Sequence, residues 1–317
     1  MVTAGDAGPR GRAPEPKRYG RFTRAQWISA ALLGAGALVV AAAVVVLIAR
    51  SVIGLEPVRD FVATYPGEYA LPAAAPIGIP AWLGWQHFFN TFLLVLILRS
   101  GWTARYGKRP PVLWSSRRVK RRKMSLTVWF HLALDALWIV NGVVYVVLLF
   151  ATGQWVKIVP TSWEVVPNAV SAGLQYLSLD WPTGNGWVNY NALQQLSYFA
   201  IVFLAAPLAI VTGARISVYW PRKAERLNRL LPFDASKRVH VAVMVFFVAF
   251  IVVHVGLVLA TGALRNLNHM YAAQDTVSWT GFWIFAASLL VIAAAWVAAR
   301  PARLIPLARV FGDVVQR

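Results

Sequence analysis

The 317-residue chain contains no cysteine. That removes Cys-ligated iron–sulfur clusters, haem attached covalently through a C-x-x-C-H motif, disulfides and thiolate catalysis. Histidine is scarce at five, and acidic residues number 12 against 31 lysines and arginines. No nucleophile motif, nucleotide-binding loop or catalytic pair of carboxylates is present. Redox chemistry in such a chain needs a cofactor held by nitrogen or oxygen ligands, and histidine is the natural one.

Apolar residues are plentiful, at 58% of the chain, with 15 tryptophans. This is the composition of a polytopic membrane protein, expected to be an all-α helix bundle. Six stretches are long enough to cross a hydrocarbon core: Gln26–Ile48, Ala81–Leu98, Met124–Phe150, Asn191–Ala214, Ser236–Gly262 and Ser278–Ala299. Residues 1–24, rich in Gly, Pro and Arg, read as a disordered basic tail, and residues 301–317 as a basic tail along the inner surface. The bundle itself is expected over 25–300. Its first stretch is too long for a secretory h-region and lacks a small-residue cleavage site after it, so it reads as a retained span. Gly34 and Gly36 in it would allow close packing, and Pro207 should kink the fourth span.

The basic residues set the orientation. The segments before span one, after span two, after span four and after span six carry six, ten, seven and four of the 31 lysines and arginines, leaving four on the other side. Both termini are therefore expected in the cytoplasm and the protein in the cell membrane. The net charge of +19 then reflects topology and contact with anionic lipid, with no nucleic acid as partner. On the other side, the connection Val156–Tyr190 is long, Trp-rich and nearly neutral. It either rests in the membrane interface or docks a partner.

Two histidines, His240 and His254, lie in the fifth apolar run. Fourteen residues at ~100° each fall ~40° short of four turns, so both leave one stripe, with Cα atoms ~21 Å apart along the axis. His87 begins the second span near the outer face, and His131 lies ~10 Å into the third from the inner face. His254 stands ~12 Å from the outer end and His240 close to the inner one. The depths match in two pairs, His87 with His254 and His131 with His240. Intramembrane histidines are costly and functional, and two depth-matched pairs sharing one helix are expected to be the axial ligands of two b-type haems. The competing view has them as polar residues bonding inside the bundle. His269 falls in the outer loop and reads as a solvent or interface residue.

The stretches WQHFFNTFLLVLILRSG around His87, VWFHLALDALW around His131 and VHVAVMVFFVAFIVVHVGLVLATG around His240 and His254 resemble the bacterial di-haem cytochrome b subunits of formate dehydrogenase, nickel–iron hydrogenase and thiosulfate reductase. The resemblance covers most of 81–262 and implies a four-helix di-haem core. It pairs His87 with His254 and His131 with His240, as depth does. It further implies electron transfer between the quinone pool and an extracytoplasmic redox partner containing molybdopterin, with quinone as exchangeable substrate. The chain would then be an electron-transfer subunit, not a self-contained enzyme. It departs from the family in an additional first span, which inverts the core and keeps the family's quinone position from being carried over.

Other polar groups in the spans are secondary candidates. Asp135, one turn after His131, could accept a proton in quinone chemistry, orient an imidazole or pair with a polar neighbour. Asn90, three after His87, could bond a haem edge or pack. Arg99, Arg215 and Arg238 stand at the level expected for inner propionates, although most arginines there serve topology. Two other classes compete: a proton-linked transporter using the histidines and Asp135, which lacks an inverted repeat or broken helix, and a haem-free membrane anchor recruiting a partner.

Overall fold

A computed structural model describes residues 17–107, 112–119, 122–181, 185–221 and 223–316. Most of the expected N-terminal tail, residues 1–16, lies outside the described residues. Among the described residues, six helices have the length and apolarity of membrane spans: span 1 Arg24–Ile53, span 2 Ala81–Tyr106, span 3 Leu126–Ala151, span 4 Ala192–Ile216, span 5 Phe233–Ala260 and span 6 Thr280–Ala298. The protein is an all-α, multi-pass membrane bundle. Five of the six starts are marked in the sequence. Thr23 and Gln26 form a capping box on span 1, Asn191 and Gln194 one on span 4, and Ser125 accepts from Val128 N at 3.1 Å on span 3. Prolines 80 and 232 precede spans 2 and 5.

Span 4 contains a π-helical stretch, Ala200–Ala205, just before Pro207. Pro207 has no N–H to offer the carbonyl of Phe203, and the chain meets that loss by widening a turn. Span 1 sits at the periphery. A Cβ added at Gly34 or Gly36 would meet nothing within 4 Å among the described residues, so no other part of the described chain packs closely at these glycines.

The end of the bundle that carries the chain termini (the terminal end) is capped by a three-stranded sheet. Val112–Ser116 pairs antiparallel with Lys123–Ser125 and with Gly312–Gln316. The helix Pro301–Phe311 packs beside it, with Trp114 Nε1 donating to Ala308 O at 3.0 Å. Val112, Trp114, Met124, Leu126, Trp129 and Ala308 form its core. Residues 18–23, read from sequence as disordered tail, form a small hairpin.

At the opposite (distal) end the connection from 151 to 191 is a folded cap. It contains the helix Val165–Leu177, with Ser171 and Ala172 fully buried. Tyr69 ties it to span 4, donating to Gln195 Oε1 at 2.8 Å and accepting from Thr161 N at 3.1 Å. Lys157 is buried there, its Nζ donating to Gly78 O at 2.9 Å and Trp187 O at 3.1 Å. Burial pushes its ammonium down to about 8.

Candidate functional site

The fourteen-residue interval between His240 and His254 recurs on the neighbouring helices. On span 2, His87 is followed fourteen positions later by Gly101, and on span 4, Tyr198 by Thr212. The first of each meets one histidine pair and the second meets the other. Halfway along lie Leu94, Ala205 and Phe247, which pack together with Trp138, seven residues beyond His131. The four-helix core is thus three layers: a histidine pair, an apolar plug, and a second histidine pair.

In the distal layer the ring centroids of His87 and His254 are 6.4 Å apart, with planes at 50°. Aromatic rings hold them. Phe250 stacks on His254 at 5.4 Å and 7°, Tyr198 meets it edge-on at 6.1 Å, and Tyr271 meets His87 edge-on at 5.9 Å. His87 Nδ1 is buried and has no hydrogen-bond partner among the described residues.

In the terminal layer the centroids of His131 and His240 are 6.5 Å apart, with planes at 83°. Hydroxyls hold this pair. Ser100 Oγ lies 2.9 Å from His131 Nδ1 and Thr212 Oγ1 lies 3.1 Å from His240 Nδ1. A glycine follows each hydroxyl. A Cβ at Gly101 would stand 3.1 Å from His131 Cε1, and one at Gly213 would stand 3.2 Å from His240 Cε1. A side chain at either position would press the imidazole away by a few tenths of an ångström.

Asp135 Oδ2 lies 3.7 Å from His131 Nε2, beside the terminal pair. Asn90 accepts from Trp138 Nε1 at 2.6 Å and so fixes a ring of the central plug. The arginines turn elsewhere. Arg99 stacks over Trp296 at 4.9 Å, and Arg215 bonds Leu231 O at 2.5 Å between Trp220 and Phe233. Arg238 is exposed.

His269, read from sequence as a solvent or interface residue, is 5% exposed. Its Nε2 bonds Asp275 Oδ1 at 2.7 Å, and Arg265 Nη2 meets the same oxygen at 2.8 Å. The two bonds hold the Asp275 carboxyl well below the usual carboxylate range, with Arg265 the larger cause. His269 lies in a π turn, Asn268–Ala272, that also presents Tyr271 to His87. Asn268, wholly buried, braces this turn. It donates to Thr276 O, Ser278 O and Ser278 Oγ at 2.7, 3.0 and 2.9 Å, and accepts from Gly281 N at 2.6 Å. Spans 2 and 6 press against it at Gly84 and Gly281, where a Cβ would collide with the carbonyls of Met270 and Leu267.

Sequence reasoning missed Ser100, Thr212, Tyr198, Phe250 and Tyr271. A signal existed for the first two: a hydroxyl–glycine step, Ser100–Gly101 and Thr212–Gly213, interrupts an apolar run near the same end of two spans.

No family model and no solved structure matches the chain. A bacterial protein from Azospira oryzae, named as protein-methionine-sulfoxide reductase subunit YedZ1, is 27% identical over 193 residues, covering 56% of this chain and 88% of that relative. Taken with the six spans, that similarity sets the chain beside the bacterial di-haem cytochrome b subunits, the family it resembles.

Proposed function

We propose that the chain is a di-haem b-type cytochrome subunit of a membrane oxidoreductase, with His87 and His254 holding one iron and His131 and His240 the other. Two imidazoles that shared one metal ion through nitrogens about 2 Å from it would have ring centroids about 6.3 Å apart. The two pairs measure 6.4 and 6.5 Å. That agreement, twice over in different surroundings, carries the reading. A porphyrin supplies four nitrogens itself, so two imidazoles complete each site.

Bound haem supplies reversible one-electron chemistry. The protein's own residues orient the imidazoles and keep water out. Leu94, Trp138, Ala205 and Phe247 fill the space between the two sites with apolar side chains. With the terminal end cytoplasmic by the distribution of lysine and arginine, the route runs across the membrane between quinone at the terminal end and a redox partner at the distal end. Asp135, beside the terminal pair, offers a carboxylate to a quinone proton.

The relative's name makes it a reductase subunit. This supports a separate catalytic partner here, and the family resemblance gives that partner's class as a molybdopterin oxidoreductase. The distal cap offers it surface: Trp163 is 89% exposed, and an open cavity of about 510 Å³ lies along Pro66–Ile77 and Val188–Asn189.

The testing experiment is a reduced-minus-oxidised absorbance spectrum of the purified protein with haem counted per chain. Two b-type haems are expected. A chain with no haem would leave the transporter or the anchor, and one haem would break the two-site assignment. Docking is tested separately with Trp163→Ser, which should leave both haems in place and slow electron flow to the partner.

A further inference from the structure

We infer that Ser100 and Thr212 are positioning residues that make the terminal histidine pair a stronger electron donor to its iron than the distal pair. The inference rests on the di-haem reading above.

Iron bound at Nε2 forces an imidazole to carry its remaining proton on Nδ1, so Nδ1 can only donate. Ser100 Oγ, 2.9 Å from His131 Nδ1, donates its own proton to Ile97 O at 3.0 Å. Thr212 Oγ1, 3.1 Å from His240 Nδ1, donates its own to Leu208 O at 2.6 Å. Each hydroxyl keeps a lone pair facing the ring. Both are buried, so water does not compete for the bond. The two hydroxyls therefore act as fixed acceptors and select the tautomer whose Nε2 lone pair is free. The glycine after each hydroxyl lets the ring reach this position.

The distal pair has nothing equivalent. Among the described residues, His87 Nδ1 is buried without a hydrogen-bond partner, and His254 makes no side-chain hydrogen bond, its ring meeting those of His87, Tyr198 and Phe250. An Nδ1–H that donates shifts electron density toward Nε2, which favours the oxidised metal. The hydroxyls thus lower the potential of the terminal site, and the distal site receives no such contribution.

The test uses the full chain, purified with its haem, in potentiometric titrations followed by absorbance. Ser100→Ala and Thr212→Val should each raise the midpoint potential of one haem only, with a larger rise in the double variant. At a fixed poise this appears as a several-fold increase in the reduced fraction of that haem. The responding haem is identified in the His254→Ala background, which keeps the terminal site. Thr212→Ser, which preserves the hydroxyl, should restore the original potential. If a variant instead sheds the terminal haem while Thr212→Ser retains it, the hydroxyls are still positioning that pair. Two haems bound with neither potential moved, or movement of the distal one, overturns the inference. Absence of haem from the unaltered chain would overturn the di-haem reading itself, and is a different result.

Discussion

Asn268→Ala tests whether the braced π turn holds the distal site in shape. The side chain is wholly buried; its two amide hydrogens are shared among three acceptors, and its oxygen accepts a further bond. At about 1 kcal/mol for each bond, and with some relief because several partners are only partly buried, the loss comes to about 3 kcal/mol. For a protein of this size that is a fall in melting temperature on the order of 5–10 °C. The damage should be local. The turn presents Tyr271 to the ring of His87, so distal haem should dissociate faster while the terminal haem keeps its spectrum. Val277→Ala, at an exposed position in the same connection, is the control and should change stability by under about 0.5 kcal/mol. Thermal melting in detergent and haem counts per chain measure both effects. An Asn268→Ala protein that melts within a degree of the original, with distal haem equally retained, would refute the reasoning.

Three other outcomes are expected. His240→Ala should bind only the distal haem and His254→Ala only the terminal one, each giving one haem per chain; a variant retaining two refutes the pairing. A reporter fused after Arg317 should be active only in the cytoplasm, and activity confined to the other side would reverse the orientation. Lys157 should make stability depend on pH. The unfolded chain holds that proton up to the ordinary lysine range while the native ammonium releases it near about 8. Between about pH 8 and 10 the unfolded state thus binds more protons, and stability should rise by roughly 2 kcal/mol. It should be flat below pH 8, and Lys157→Met should abolish the rise.

The spans and the facing histidines could be read from the chain because helix rise and rotation are constants. Fourteen residues fix both depth and direction for His240 and His254, whatever the neighbours do. The features that were not legible depend on contacts between distant segments. The sheet at the terminal end joins Val112–Ser116 to a strand about two hundred residues later, and nothing local in either announces it. His269 looks like a loop residue until Asp275 and Arg265 fold back over it. The turn that carries it bonds from i to i+5, a pattern without a compositional signature. Gly34 and Gly36 suggested a packing seam, but small residues in a span indicate only that close approach is allowed, and among the described residues nothing approaches them within 4 Å. Ser100 and Thr212 were legible only in retrospect, since single hydroxyls are common in apolar helices and gain meaning from the ring opposite.

Because His240 and His254 ride on one continuous helix, span 5 acts as a lever with the apolar plug near its fulcrum. A tilt of about 5° about the midpoint would carry the two imidazoles roughly 0.9 Å in opposite directions, given their ~21 Å separation. Strain applied at one end, by a docking protein or a change in bilayer thickness, is therefore felt at both sites with opposite sign. A tilt of span 5 cannot shift one histidine pair without shifting the other. Adjustment of one pair apart from such a tilt falls to the facing histidines on separate helices, His87 on span 2 and His131 on span 3.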